Sequence, residues 1–194
     1  MSGHEAIASR ERIMEEAARL FVDRGYNGIS MRELAQATGI SKAGLYYHFQ
    51  DKEDLFLAIL NENLDQMGAI IRRCRQAGGS AREQISAVMR DIFASAPEQR
   101  SIIRLANQEM ANLSQQARTA FARIYQDKFI GQLAAIFQEG MDRHELRPMG
   151  VQITTWVLLG MMYPFFYPSH SRESTGSDGI IETILTIFFD GVSA

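Results

Sequence analysis

Between Ser41 and Lys52 the chain places two lysines, two adjacent tyrosines and a histidine around the small pair Ala43 and Gly44. Ammonium, phenol and imidazole groups all donate hydrogen bonds to phosphate oxygens. Ala43 and Gly44 take up so little space that a helix carrying them can come close to another surface. The set has the chemistry of a DNA reader. On a helix laid in the major groove, the first turn (Lys42, Ala43, Gly44) faces base edges, Tyr46, Tyr47, His48 and Lys52 reach phosphates, and Ser41 just before that turn is a further DNA-binding candidate. Ser30 and Arg32, at the start of the preceding helix, join the DNA-binding candidates. The competing reading makes Tyr46 and Tyr47 the lid of a small core. Adjacent helical residues point about 100° apart, so both cannot sit deep in one core.

Two short helices and a turn must present these side chains. Ser30 and Glu33 have the spacing of a capping box, so a helix begins at about Met31, with Leu34 and Ala35 as its apolar residues. Thr38 ends it, and Gly39 supplies the left-handed backbone that other residues resist. Ser41 N-caps the next helix, whose apolar stripe is Leu45 and Phe49. Residues 31–50 therefore read as a helix-turn-helix, with Ala35, Gly39 and Leu45 where it must be tight, kinked and buried.

Residues 9–60 carry a resemblance. From Ser-Arg-Glu-Arg-Ile-Met-Glu-Glu-Ala-Ala-Arg-Leu-Phe, through Gly-Ile-Ser-Lys-Ala-Gly-Leu-Tyr-Tyr-His-Phe, to Asp-Lys-Glu-Asp-Leu-Phe, the stretch resembles the N-terminal domain of the tetracycline-repressor (TetR) family of bacterial transcription regulators. The Leu-Tyr-Tyr-His-Phe run followed by Lys-Glu-Asp-Leu is the most specific part. The remaining residues match in length and helical layout only. The resemblance implies a dimeric, all-helical, ligand-responsive repressor.

Residues 1–8 are expected to be a flexible tail, and Ser9 to Arg24 the first helix, with Ile13, Ala17, Leu20 and Phe21 on one stripe. Tyr26 is assigned to the small core, with a phosphate contact as the competing reading. Asp51 caps a helix running from about Lys52 to Ala77, about 39 Å long at 1.5 Å per residue. Its N-terminal amides are placed to receive a phosphate. Gly78-Gly79 breaks the chain, and Ser80 with Glu83 forms a second capping box. The helix after that box stops before Pro97, further helices follow over about 98–113 and 115–143, and a loop lies at Arg143 to Pro148. The expected architecture is all-α with about nine helices. A helix-turn-helix domain (9–55, motif 31–50) is joined by the long helix to a helical ligand-binding and dimerisation domain (56–194).

The last two helices, about 151–167 and 178–192, are apolar nearly all round and must be covered on both sides. A second copy is the expected cover, giving a homodimer with two-fold symmetry. Two recognition helices would then match a palindromic operator in double-stranded DNA, with grooves about 34 Å apart or a multiple of it. The Ser169 to Gly179 link is read as a mobile loop. Methionines and aromatics between residues 81 and 167 could line a cavity for a small, mostly apolar effector. Met89, Phe93, Met110, Phe121, Tyr125, Phe129 and Trp156 are the candidates, with Arg104 and Gln108 as polar anchors. For any one of them, ordinary core packing is the competing reading.

Net charge is −3 and the pI near 5.8. Residues 1–54 hold seven Lys or Arg against nine Asp or Glu, a balance of −2, whereas nucleic-acid binders are often strongly basic. Residues 34–50 contain no acid, however, so the face meeting DNA can be locally positive. Few phosphate contacts and a modest salt dependence are expected. Cys74, the single cysteine, lies on an apolar stripe and suits a reducing cytoplasm. The most apolar stretch, Trp156 to Tyr167, is too short to span a bilayer, so no membrane association is expected. His4, His48, His144 and His170 are scattered without metal-ligand spacing. There is no glycine-rich phosphate loop and no Gly-x-Ser-x-Gly, so no enzyme, metal or cofactor is expected. The alternative function is a helical protein-interaction module without DNA binding.

Overall fold

A computed structural model describes residues 3–167 and 177–192, with side-chain surroundings for 9–167 and 179–191. Its ten α-helical segments are α1 (Gly3–Arg24), α2 (Met31–Ala37), α3 (Lys42–His48), α4 (Lys52–Ala77), α5 (Ala81–Ala94), α6 (Pro97–Glu109), α7 (Gln115–Tyr125), α8 (Gly131–Asp142), α9 (Val151–Met162) and α10 (Ser177–Val192). A π-turn, Gln126–Ile130, joins α7 to α8, so the ten segments make nine rods. No strand element occurs among the described residues. The chain divides into two compact units, one of residues 1–63 and 101–123, the other of 64–100 and 124–194.

In the first unit, Ile13, Ala17 and Phe21 of α1 meet Leu34 and Ala35 of α2, Leu45 of α3, Phe49, and Leu55, Phe56, Ile59 and Leu60 of α4 in one buried cluster. Tyr26 is buried there, its ring 5.1 Å from Phe56 and 5.9 Å from Phe21. Leu105, Leu113 and Ala117 complete the cluster, and Met110 and Phe121 pack against it. The expected head of residues 9–55 is thus extended by a segment remote in sequence. Two helices of seven residues and one of 22 leave an apolar face that the corner between α6 and α7 closes.

The helix limits have local causes. Ser30 Oγ accepts from Glu33 N–H while the Glu33 carboxylate accepts from Ser30 N–H at 2.9 Å, the capping box expected for α2. Gly39 has φ +70° at the turn into α3. The first helix starts at Gly3 rather than Ser9. The expected helix 98–113 ends at Glu109 and tightens into a 3₁₀ turn, Met110–Asn112. At the other end of the chain α9 gives way at Tyr163 to a 3₁₀ turn containing Pro164, which has no N–H to donate. Most of the Ser169–Gly179 link lies outside the described residues.

The expected single rod from Gln115 to Arg143 contains the π-turn because Gly131, Gln132, Gly68 and Lys128 accommodate it. Gly131 N–H bonds to Gln126 O, and a Cβ on Gly131 would stand 3.0 Å from that oxygen. Gln132 donates its side-chain amide to Lys128 O at 2.6 Å. Gly68 of α4 lets the same carbonyl come close, and Lys128 Nζ pairs with both oxygens of Asp65 at 2.6 and 2.7 Å.

In this second unit Ile85, Val88, Met89, Ile92 and Phe93 of α5 are buried, as are Leu133, Ile136 and Phe137 of α8 and Ile181, Leu185 and Phe189 of α10. The Glu145 carboxylate accepts from Ala81 N–H at 2.6 Å and so caps α5. Arg143 beside it, and then that N–H, hold the carboxyl below its usual range.

Two positions in this unit carry opposite strains. His144 has φ +60° just after α8. A Cβ on Gly140 would stand 2.5 Å from the Ala81 Cβ. H144G should therefore stabilise the chain by about 1 kcal/mol, since the left-handed conformation costs other residues about that much. G140A should destabilise it by about 1–3 kcal/mol through overpacking. Urea unfolding of both variants checks the pair.

Candidate nucleic-acid interface

The third helix presents two faces. Its buried face is Leu45, with Phe49 just beyond its end, both sealed in the core. The outer face carries Lys42, Ala43, Tyr46 and Tyr47. Tyr47 is 77% exposed and Tyr46 44%, so neither tyrosine is a core lid. The ring of Tyr47 stands edge-on to half-buried His48 at 5.1 Å. Lys42 Nζ lies 5.7 Å from the centroid of the Tyr46 ring, one helical turn on, which steadies the ammonium. Ser41 Oγ accepts from Gly44 N–H at 3.0 Å and holds the first turn. A Cβ on Gly44 would meet that oxygen at 3.3 Å. Ser30 and Arg32 are exposed at the start of α2, with the Ser30 hydroxyl occupied by Glu33 at 2.6 Å.

Carboxylates near this face are tied to backbone N–H groups. Hydrogen bonds from Ser30 hold the Glu33 carboxyl below its usual range. Asp51 accepts from Asp54 N–H at 2.8 Å, and Asp54 accepts from Gln50 N–H at 2.9 Å. The first turn of α4 is thus capped by its own acids, a different task from the phosphate reception expected of its amides. The acids of the head that lie beside α3 close helix ends, and the side chains projecting from α3 are neutral or cationic.

Lys52 departs from its expected role. Its ammonium donates to Tyr26 O at 2.8 Å and Ile29 O at 3.1 Å, and lies 4.3 Å from the Tyr26 ring centroid. Two of its three donors are spent on carbonyls inside the head, where the sequence reading sends them to phosphate. Sequence reasoning also missed Arg10, whose guanidinium lies 5.0 Å from the Phe49 ring centroid, and the tie in which Ser114, the expected cap of α7, donates its N–H and hydroxyl to Glu53 at 2.6 and 2.7 Å. Both depend on contacts between distant parts of the chain that no local pattern records.

The nine effector candidates fall in both units. Arg104, Gln108, Met110 and Phe121 belong to the first, where Met110 and Phe121 pack on the head's core and Arg104 donates to Ser101 Oγ at 2.7 Å. Met89, Phe93, Tyr125, Phe129 and Trp156 belong to the second. There Phe93 stacks on Phe166 at 4.4 Å, Tyr125 stacks on Phe129 at 5.6 Å, and the Tyr125 and Trp156 rings are 6.3 Å apart. Burial pushes the Tyr125 phenol up to about 12. No group of three His, Cys, Asp or Glu among the described residues is placed to hold a metal, and no described helix is long and apolar enough to cross a membrane.

Residues 13–59 match a family model described as bacterial regulatory proteins, tetR family, and residues 78–164 match one described as tetracyclin repressor-like, C-terminal domain. The chain is 37% identical over 92 residues to the HTH-type transcriptional repressor Rv1474c of Mycobacterium tuberculosis. That match covers 47% of this chain and 44% of the relative, so it spans less than half the relative's length. It is 25% identical over 193 residues to the HTH-type transcriptional repressor KstR2 of Rhodococcus jostii, covering 95% of this chain and 91% of that protein. Among solved structures, AibR in complex with isovaleryl coenzyme A and operator DNA superposes with a TM-score of 0.75 at 28% identity, covering 92% of this chain and 97% of AibR.

Tyr26 gives this site a pH signature. Burial, followed by the charges of Glu53 and Asp51, raises its phenol from 10.0 to about 12. Folding therefore favours the neutral phenol. Its contribution is whole below pH 10 and is lost as pH rises from about 10 to about 12. Absorbance at 295 nm should show late phenol ionisation near pH 12 from Tyr26 and Tyr125. Y26F should remove one of these two steps and flatten the alkaline loss of stability.

Proposed function

We propose that this chain, which belongs to the tetR family of bacterial regulatory proteins, is a dimeric, sequence-specific DNA-binding transcriptional regulator that represses by occupying a palindromic operator. A small, mostly apolar effector bound in the C-terminal unit releases it. The observation that carries this reading is the outer face of α3, where Lys42, Ala43, Tyr46 and Tyr47 stand clear of the core that Leu45 anchors. In the proposed complex Lys42, Ala43 and Gly44 approach base edges. Ser30, Arg32, Ser41, Tyr46, Tyr47 and His48 hold the backbone.

Dimerisation is supported by α9 and α10. Ile153, Trp156 and Val157 are spaced as one helical stripe, with Ile153 66% exposed, and Ile187 of α10 is 61% exposed. A second copy related by two-fold symmetry would cover this stripe and pair the two reading heads. The stacked aromatics Phe93 with Phe166 and Tyr125 with Phe129 support an apolar or aromatic effector. The relative AibR was solved with an acyl-coenzyme A and operator DNA, which agrees with a two-ligand role of this kind. A reducing cytoplasm is the compartment this function requires.

Selection of duplexes from a random-sequence pool tests the DNA assignment. The chain should enrich a palindrome, and Y47A and K42A should each weaken binding about tenfold, the cost of one good phosphate or base contact. G44A should change the bases enriched, because a methyl group on the first turn meets the groove floor. Enrichment of no sequence contradicts the reading. Light scattering tests the dimer: wild-type chain should run at twice the monomer mass, and I153D with W156E should run at the monomer mass without unfolding.

A further inference from the structure

Lys52 and Glu53 are neighbours in the first turn of α4, and their side chains grip different parts of the head. Lys52 holds the carbonyls of Tyr26 and Ile29, at the two ends of the turn leading from α1 to α2. That turn has no slack on its other side, since a Cβ on Gly28 would stand 2.0 Å from Arg24 O. Ser30, which caps α2, follows at once, and only the Gly39 turn separates α2 from α3. Where Lys52 sets these carbonyls, it sets the start of the helix-turn-helix.

Glu53 holds the other partner. Its two oxygens accept from Ser114 N–H at 2.6 Å and Ser114 Oγ at 2.7 Å, and Ser114 Oγ accepts in turn from Ala117 N–H at 3.1 Å, closing the start of α7. The adjoining corner is seated by Leu105, Leu113 and Ala117 in the head's core. It also comes up against the end of α1, where a Cβ on Gly25 would stand 3.0 Å from Glu109 Oε1. Residues 101–123 are thus fastened to α4 one residue away from the grip on the helix-turn-helix.

We propose that Lys52, Glu53 and Ser114 form a clamp that positions the reading helix, so that the α6–α7 corner controls DNA binding without touching DNA. This rests on the reading of the chain as a DNA-binding regulator. Lys52 is then a positioning residue and makes no phosphate contact. The hydrogen bonds between Glu53 and Ser114 carry any displacement of the corner into α4's first turn, and Lys52 passes it to the turn before α2.

Two kinds of measurement separate the clamp from its alternatives. Affinity for a duplex that wild-type chain selects from a random pool is measured over a salt series for K52M, E53A, S114A, S114T and E53A/S114A. S114A and E53A should each bind about tenfold more weakly, the effect of losing a charge-assisted hydrogen bond. The double variant should be no worse than either single one, and S114T should restore binding. K52M should weaken binding while the salt slope stays within about half a unit of wild type, because a positioning residue releases no counterion. A slope lower by about one makes Lys52 a phosphate ligand and overturns the proposal, as does unchanged binding by S114A. Amide exchange of the free protein is the second measurement. Residues 26–34 should exchange faster in both S114A and K52M, and unchanged protection in S114A overturns the clamp. Should wild-type chain select no duplex, the regulator reading fails, and exchange at 26–34 still decides whether the clamp exists.

Discussion

A helix of seven residues does not hold itself in water, because closing its first turn costs more than so few hydrogen bonds return. Both α2 and α3 have that length. They exist because Leu34, Ala35, Leu45 and Phe49 are drawn into a core whose floor is Phe21, Tyr26 and Phe56. Rings 5.1 to 5.9 Å apart give that floor a fixed shape. Everything that makes the head a reader follows. With one side of α3 sealed into the core, its other side turns Lys42, Tyr46 and Tyr47 outward, away from that core.

The same constraint reconciles an acidic head with the polyanionic partner proposed for it. Helix ends need closing, and in this head carboxylates help to close several of them: Glu33 at α2, Asp51 and Asp54 at α4, and Glu53, through Ser114, at the start of α7. These charges count in the composition, yet each is already engaged by hydrogen-bond donors of the head. Lys42 and the two phenols face outward, so the reading face presents a cation and neutral hydrogen-bond donors, with no carboxylate on α3 itself. The interaction-module alternative drew its support from the acidic balance of the head, and four of the nine acids in residues 1–54 are engaged in these caps.

Much of the head was legible because its limits are set by neighbours in sequence. Capping boxes, the Gly39 turn and the Asp51 cap place α2, α3 and the 26-residue α4 at their expected residues. Tyr26 reads as core for a similar reason, lying between a helix-ending glycine and a turn. What the sequence could not show is where distant segments meet. Nothing in the periodicity of residues 101–123 says that Leu105, Leu113 and Ala117 belong with α1 to α4. Met110 and Phe121 therefore look as much like cavity lining as like core. A lysine at a helix start has the same local pattern whether it reaches for a phosphate or, as Lys52 does, for carbonyls 23 and 26 residues back. The π-turn was hidden too, since Gly131 and Gln132 sit without penalty in an ordinary helix.

The C-terminal helices obey the opposite rule. There apolar residues exceed what the protomer covers, and Ile153, Trp156, Val157 and Ile187 remain outside while Leu158, Leu185 and Phe189 fill the core. In the proposed regulator, which reads a symmetric site, such a surplus would pair two heads that each cover half of the site. The claim on which all this depends is that the outer face of α3 is where DNA sits. Oxidative footprinting of the protein, with and without a duplex it has selected, tests that claim most directly. The account predicts protection concentrated at Tyr46, Tyr47 and His48, with Tyr26 and Phe56 unchanged. Equal labelling of the two exposed tyrosines in free and bound protein would contradict it.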